Sequence, residues 1–141
     1  MKNEIKIYKF LPNEGAYVRQ QVFINEQGFP YDYDAKDEVS VHFVMFENGT
    51  PVAACRVFAS EKRGEFILGR LAVLKPFRKQ GKGAKMVGFA LNYVKNHGGE
   101  SLILHSQIHS VSFYEKIGFE VYGDVEDDAG APHIWMRKFL K

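Results

Sequence analysis

Cysteine is nearly absent from this chain of 141 residues, which contains only Cys55. A single cysteine excludes an internal disulfide and a structural zinc site built from several thiolates. The formal net charge is only +2, which is too small for strong nonspecific binding to nucleic acid. The sequence also lacks an apolar run long enough to cross a membrane and the apolar segment of a signal peptide. These absences predict a cytoplasmic protein with one domain over residues 1–141 and without metal, nucleic-acid or membrane partners.

A basic, glycine-rich turn, Arg78-Lys79-Gln80-Gly81-Lys82-Gly83-Ala84, lies between an apolar strand and an amphipathic helix. Glycines lack a Cβ, so their backbone can approach a ligand closely. The first amides of a helix have no intrahelical acceptor and lie at the positive end of the helix dipole, where anions bind. The order of strand, turn and helix therefore favours a phosphate or diphosphate ligand. The apolar stripe of the helix consists of Met86, Val87, Ala90, Leu91 and Val94.

The turn does not match two well-known phosphate motifs. A Walker A loop has Lys-Ser/Thr after its last glycine, and this turn does not. A dinucleotide fingerprint has a third glycine where this chain has Met86, and an acidic residue where the next strand ends in His105-Ser106-Gln107. The remaining pattern, Arg-x-x-Gly-x-Gly, is weak alone, and a basic surface turn without a ligand is the competing interpretation.

The periodicity of apolar residues predicts an α+β fold with a mixed, mostly antiparallel sheet flanked by helices. Asn48-Gly49, a strong hairpin signal, joins two strands of an antiparallel meander. Strand, helix and strand then follow around the turn and predict a parallel crossover. The predicted strands cover residues 4–10, 41–47, 52–59, 65–74, 102–104, 119–122 and 133–139. The predicted helices cover 12–25, 83–97 and 111–117, and acidic loops cover 31–38 and 124–130.

Two signatures together resemble the GNAT superfamily of acetyl-CoA-dependent N-acetyltransferases. The first is the strand 65–74 followed by Arg78-x-x-Gly81-x-Gly83. The second is Phe113-Tyr114-Glu115-Lys116-Ile117-Gly118-Phe119, about thirty residues later. The residues Arg19-x-x-Val22-Phe23-x-x-Glu26-Gln27, Asp37, His42 and Gly130-Ala131-Pro132-His133-Ile134-x-Met136 are similar to a small bacterial subgroup, so the resemblance covers nearly the whole chain.

The resemblance implies acetyl-CoA as cosubstrate and a direct transfer of the acetyl group to a primary amine in a ternary complex. Backbone amides of the turn would bind the CoA diphosphate, and the backbone of the preceding strand would bind pantetheine and the thioester carbonyl. Tyr114 occupies the position of the general acid for the departing thiolate. The implied CoA-binding residues are Leu71, Ala72, Val73, Arg78, Lys79, Gln80, Gly81, Lys82, Gly83, Ala84, Gln107 and Phe113.

The general base and the acceptor site remain open at the level of sequence. Glu26, His42 and His133 are candidates for the base or for acceptor contacts by resemblance, and a positioned water is an alternative. Arg56 and Arg70 interrupt apolar strands, where arginine usually meets a carboxylate or a phosphate. They are either structural ion pairs or, with Arg19, anchors for an anionic acceptor.

The acceptor itself has two competing predictions. The arginines favour a small amine that also carries a carboxylate or a phosphate, whereas the acidic loops favour a polyamine or a protein lysine. A non-catalytic acyl-CoA-binding module is the alternative function. The protein is expected to be a monomer or a homodimer.

Overall fold

A computed structural model describes residues 2–140. Within that range the strands are β1 (Asn3–Tyr8), β2 (Val41–Glu47), β3 (Thr50–Ala59), β4 (Glu65–Val73), β5 (Ser101–Gln107), β6 (Glu120–Asp128) and β7 (Ala131–Phe139). The α-helices are α1 (Asn13–Arg19), α2 (Lys82–Asn96) and α3 (Val111–Ile117). A π-helix covers Gln20–Glu26, and 3-10 turns cover Ala35–Glu38, Lys75–Phe77 and Ile108–Ser110.

The chain divides into two compact units, and strand β4 contributes to both. The first unit contains the residues through Phe58 and Gly69–Ala90, and the second contains Ala59–Leu68 and the residues from Leu91 onward. The strand order is β1-β2-β3-β4 in the first unit and β4-β5-β7-β6 in the second. β4 and β5 pair in parallel, whereas the β1–β2, β2–β3, β5–β7 and β6–β7 pairs are antiparallel. This mixed, mostly antiparallel sheet with helices confirms the predicted fold class.

The first unit is packed around one face of its leading helix. Val18 and Val22 are 0% and 4% exposed and contact Ala54 of β3 and Ala72 of β4. Burying a valine side chain contributes about 1.5–3 kcal/mol, so these contacts fix the helix on the sheet. The predicted helix 12–25 has the expected extent, but from Gln20 onward it is a π-helix, as the bond from the Gln27 amide to the Val22 carbonyl (3.0 Å) shows.

The helix that follows the basic turn has the predicted apolar stripe. Met86, Val87, Ala90 and Val94 are all fully buried, and Leu91 is partly buried. In the first unit the ring of Phe89 packs edge to face on Phe43 of β2, with the ring centroids 5.5 Å apart. The 3.6-residue period of the stripe explains both the helix and its orientation.

The C-terminal hairpin departs from the prediction. The predicted acidic loop 124–130 is wrong, because Asp124–Asp128 belong to β6 and only Ala129 and Gly130 form the turn before β7. Aspartate and glutamate disfavour strands locally, but the backbone pairing of Glu126 with His133 and of Asp128 with Ala131 outweighs that preference. Four other strands differ by two or more residues. β5 is longer than predicted and continues to Gln107, β3 and β7 each begin two residues earlier than predicted, and β1 ends at Tyr8 instead of residue 10.

Candidate active site

The basic turn connects β4 to α2 through a short, strongly curved segment. The 3-10 turn Lys75–Phe77 comes first, and Lys79 and Gly81 then have positive φ angles of 62° and 78°. Helix α2 begins at Lys82, so Gly83 lies in its first turn. The backbone therefore has the sequence of turn and helix start that binds anions in other proteins.

Arg78 fastens the start of this turn to two other segments of the first unit. Its Nε donates to the carbonyl of Val73 at the end of β4 (2.8 Å), and its Nη1 and Nη2 each donate to one carboxylate oxygen of Glu26 (2.6 Å). The hydrogen bonds from Arg78 hold the pKa of Glu26 below its ordinary value. Glu26 therefore lies next to the turn as a paired carboxylate, which weakens it as a candidate base.

Lys82 also has partners inside the protein. Its Nζ lies 2.9 Å from Oε1 of Glu47 and donates to the side-chain oxygen of Gln80 (2.7 Å). The Lys82 side chain is only 4% exposed. The sequence suggested that this lysine adds positive charge for a ligand, but in the structure its charge is balanced by Glu47.

Leu71, Ala72 and Val73 form the last part of β4, before the basic turn. Ala72 is 3% exposed and its side chain belongs to the core of the first unit. Arg70, just before this segment, has a φ of 53° in the left-handed region. A non-glycine residue in this conformation costs of order 1–3 kcal/mol and is often found near functional sites.

The arginines of β3, β4 and α1 meet three aspartates, in a group that we call the arginine–aspartate cluster. It consists of Arg19, Arg56, Arg70, Asp32, Asp34 and Asp37. Its formal charges cancel, with three cations and three anions. The cluster ties the acidic segment 32–37 to the end of α1 and to the two strands of the first unit.

Asp37 is the shared acceptor of the cluster. Its carboxylate accepts from both terminal nitrogens of Arg19 (2.7 and 2.9 Å), from Nη1 of Arg56 (3.0 Å) and from the backbone amide of Asp34 (3.1 Å). Arg19 and Asp37 are each 1% exposed. Burial opposes ionisation of Asp37, but the hydrogen bonds from Arg19 and Asp34 outweigh it and lower its pKa far below the ordinary range.

These contacts favour the structural interpretation of the buried arginines. Arg19 and Arg56 point at internal carboxylates, so an anionic acceptor would have to compete with Asp37 and its neighbours. The idea that the acidic loop 31–38 attracts a cationic acceptor is weakened for the same reason. Sequence reasoning noted the arginines and the acidic loop separately but missed that they pair with each other. The signal that could have predicted this pairing was the presence of arginines on two apolar strands and of aspartates in one loop.

The two histidine candidates each contact a backbone carbonyl. His42 is 2% exposed, its Nε2 lies 2.9 Å from the carbonyl of Asp37, and burial lowers its pKa. In the second unit, Nδ1 of His133 lies 2.9 Å from the carbonyl of Ala131, and its ring centroid is 5.0 Å from that of His105. Both histidines are thus buried and hydrogen-bonded within the protein.

Tyr114, the candidate acid, lies on α3 in the second unit. It is 9% exposed, and its ring packs edge to face on Phe113 and Phe119 with centroid distances of 4.9 and 5.8 Å. Gln107 ends β5, and its side-chain oxygen lies 2.7 Å from Nε2 of His109. The aromatic packing fixes the tyrosine ring in one orientation, which suits a positioned proton donor as well as a core residue.

A cavity of about 720 Å³ opens in the first unit beside the π-helix. Glu26 forms part of its wall, so the same carboxylate contacts the cavity and Arg78 of the basic turn. Sequence reasoning missed this cavity because its walls come from three separate segments. It is lined by Tyr17, Gln21, Val22, Asn25, Glu26, Thr50, Pro51, Leu74, Lys75, Pro76 and Phe77.

Among residues 2–140, no three histidine, cysteine, aspartate or glutamate side chains are grouped as a metal site would require. In the same range, no helix combines the length and apolar character needed to cross a membrane.

Comparison with known proteins identifies the fold and its relatives. A family model for the acetyltransferase (GNAT) domain matches residues 14–140. The uncharacterized N-acetyltransferase YjcF of Bacillus subtilis is 34% identical over 128 residues, which are 89% of this chain and 90% of YjcF.

Solved structures agree with the family match. The crystal structure of Escherichia coli ElaA has a TM-score of 0.84 and 27% identity, and the alignment covers 97% of this chain and 99% of ElaA. An acyl-CoA N-acyltransferase from Pseudomonas aeruginosa has a TM-score of 0.82 and 26% identity over 97% of this chain and 98% of that protein.

Proposed function

Because this chain belongs to the GNAT acetyltransferase family, we propose that it transfers an acetyl group from acetyl-CoA to a primary amine. The acceptor is a small molecule or an amine of a protein. The observation that carries the proposal is the basic turn before α2, in which Lys79, Gln80 and Gly81 are exposed and Arg78 joins the turn to β4. The similar acyl-CoA N-acyltransferase from Pseudomonas aeruginosa supports an acyl-CoA cosubstrate.

The turn is proposed to bind the diphosphate of acetyl-CoA through backbone amides of residues 79–84. These amides lie at the positive end of the dipole of α2, which favours an anion. The backbone of Leu71, Ala72 and Val73 is proposed to bind the pantetheine arm and to donate a hydrogen bond to the thioester oxygen. A donor at that oxygen stabilises the negative charge that develops on it during attack. Gln107 and Phe113 are proposed as further CoA contacts from the family resemblance.

The proposed reaction is a direct transfer. The amine nitrogen attacks the thioester carbonyl carbon, a C–N bond forms, and the C–S bond breaks. The amine gives up one proton and the CoA sulfur takes one up, so the products are an acetamide and free CoA thiol. Tyr114 is proposed to donate the proton, or a hydrogen bond, to the departing sulfur.

The proposal is tested by incubating the wild-type protein with acetyl-CoA and a library of amines and detecting the released thiol. We expect thiol release that requires both the protein and an amine, with a matching acetylated product in mass spectra. If the protein binds CoA but no amine gives turnover, it is a non-catalytic acyl-CoA-binding module. If it does not bind CoA, the proposed function is wrong.

Replacing Tyr114 with phenylalanine is expected to lower kcat more than it weakens acetyl-CoA binding. A positioned acid contributes typically ~10²–10⁴-fold. A tyrosine hydroxyl, with an ordinary pKa of about 10, is a weaker acid than a thiol at about 8.5. We therefore expect the effect to lie at or below the low end of that range.

Steady-state kinetics with an identified acceptor and calorimetric titration with acetyl-CoA separate the two quantities for Tyr114→Phe. Phe119→Leu is the control, because it removes aromatic packing on Tyr114 but keeps the hydroxyl. Wild-type kcat in Tyr114→Phe would remove this residue from the mechanism.

A further inference from the structure

Two of the four basic residues in the segment 78–85 contact carboxylates of the first unit. Arg78 forms a bidentate pair with Glu26 at 2.6 Å, and Lys82 lies 2.9 Å from Glu47. These partners come from other segments, since Glu26 ends the π-helix and Glu47 ends β2. Each pair therefore ties the turn to a neighbouring element.

The other two basic residues are in a different environment. Lys79 and Lys85 are exposed, and in the described part of the chain no carboxylate oxygen lies within 4.0 Å of either amino group. Lys79 lies in the curved part of the turn, and Lys85 lies in the first turn of α2. Their charges are thus unbalanced by neighbouring carboxylates, whereas those of Arg78 and Lys82 are balanced.

Lys82 is buried at the first residue of α2, and a cation there requires an oppositely charged partner. A cation at the first residue of a helix is destabilised by the positive end of the helix dipole. Lys82 is also 4% exposed, and a buried charge needs an opposite charge at close range. Glu47 supplies that charge, and the Gln80 side chain accepts a further hydrogen bond from Nζ of Lys82. The pair therefore fixes the start of α2 and the side chain of Gln80 before any ligand binds.

We propose that Arg78 and Lys82 are positioning residues, which hold the turn in its anion-binding shape, and that Lys79 and Lys85 supply the charge that meets the ligand. The two carboxylates balance the charges of Arg78 and Lys82, so within residues 78–85 the charges of Lys79 and Lys85 remain available to a diphosphate such as the one in CoA. This inference rests on the proposed function, because it assigns roles within the same CoA site.

Glu47→Gln tests the inference through the sign of its effect on CoA binding. If Lys82 were a direct ligand of the diphosphate, neutralising Glu47 would free the lysine, remove a nearby negative charge and tighten CoA binding. If Lys82 positions the turn, the same change releases the start of α2 and weakens binding. We expect weaker binding, by about 3- to 10-fold, which equals about 0.6–1.4 kcal/mol, because Glu47→Gln removes the charge that balances Lys82.

Calorimetric titration with CoA measures this effect in Glu47→Gln, in Glu26→Gln and in the control Glu61→Gln. Glu61 is exposed and lies between β3 and β4, and its change alters the net charge equally. Glu26→Gln gives an independent result if Glu47→Gln does not fold, because Glu26 and Arg78 are each about one third exposed. Lys82→Arg keeps the charge and is expected to bind CoA nearly as wild type, whereas Lys82→Gln is expected to behave like Glu47→Gln.

The two exposed lysines are expected to show a different signature. Lys79→Gln and Lys85→Gln should weaken CoA binding and make it less sensitive to salt, because salt screens exposed charges most strongly. The two variants should lose affinity for dephospho-CoA by the same factor, because this ligand keeps the diphosphate and lacks only the 3′-phosphate. Lys9→Gln, an exposed lysine on the segment after β1, is the charge-matched control.

Hydrogen exchange of the amides of residues 80–84 in the CoA-free protein gives a second readout. Exchange should be faster in Glu47→Gln and unchanged in Lys79→Gln. The inference is overturned if Glu47→Gln binds CoA as tightly as wild type or more tightly, or if Lys82→Gln reduces the salt sensitivity as Lys79→Gln does. Absence of CoA binding by the wild type would refute the proposed function instead, and the exchange measurement would then decide alone whether Glu47 positions the turn.

Discussion

Replacing Asp37 with asparagine is expected to destabilise the protein by about 3–5 kcal/mol, the usual cost of removing one partner from a buried ion pair. The carboxylate accepts four hydrogen bonds, two from Arg19, one from Arg56 and one from the Asp34 amide. Asparagine keeps the shape but has one oxygen and no charge, so Arg19 loses half of its balancing charge in a site that is 1% exposed. Against a typical total stability of 5–15 kcal/mol, this is a large loss.

Chemical denaturation monitored by fluorescence and circular dichroism measures the loss. Asp127→Asn is the matched control. Asp127 lies on the exposed strand β6, so this substitution makes the same chemical change outside the arginine–aspartate cluster. We expect the control to lie within about 0.5 kcal/mol of wild type. A similarly small effect for Asp37→Asn would show that the cluster does not contribute to folding stability.

The arginine–aspartate cluster also predicts that the free energy of unfolding decreases at acidic pH. Asp37 and Asp34 both have pKa values below the ordinary range in the folded protein, because burial, which raises them, is outweighed by hydrogen bonds from arginines. A lowered folded pKa stabilises the native state above the unfolded pKa, about 3.9, and this contribution is lost as the pH falls. Wild-type stability should therefore fall below about pH 5, and Asp37→Asn should show a shallower decline over the same range.

Gly83→Val is expected to lower CoA affinity on the order of 100-fold while the protein remains folded. Gly83 lies in the first turn of α2, where a side chain would cover the amides that are proposed to bind the diphosphate. A 100-fold loss equals about 2.7 kcal/mol, which is within the range for one or two hydrogen bonds to a charged group. Valine in place of glycine does not lower helix propensity, so the fold should tolerate the change.

Gly88→Val provides the control for Gly83→Val. Gly88 lies in the same helix, and a Cβ added there meets no heavy atom within 4 Å. Calorimetry with CoA and thermal unfolding should show loss of binding for Gly83→Val alone, with both variants folded. Wild-type affinity in a folded Gly83→Val protein would mean that the diphosphate does not bind at this turn.

Local sequence signals were sufficient to predict most of the helices and strands. Helix α2 follows from a stripe of apolar residues with a 3.6-residue period, and four of its five predicted positions are fully buried. The β2–β3 hairpin follows from Asn48-Gly49, and both residues adopt the positive φ angles, 51° and 85°, that such a turn requires. These features depend on interactions between residues close in the chain, which a sequence displays directly.

Features that depend on distant residues were decided by the tertiary structure. Asp124–Asp128 have low strand propensity, yet they form part of β6 because their backbone groups pair with β7. Lys82 looks like a phosphate ligand in the sequence, but 35 positions separate it from Glu47, the carboxylate that balances its charge. The spacing of charges along the chain contains no information about such a pair.

The sequence by itself determined the family, the α+β class and the position of the glycine-rich basic turn, because these depend on short motifs and on the periodicity of apolar residues. Only the tertiary structure decided which charges are available to a ligand. Arg56 interrupts an apolar strand in a way that suits an acceptor site, and Arg19 was a further candidate anchor, but folding brings Asp37 to both of them. The physical reason is that a buried charge is stabilised by whichever opposite charge the fold places within hydrogen-bonding distance, and that neighbour is fixed by packing and not by sequence order.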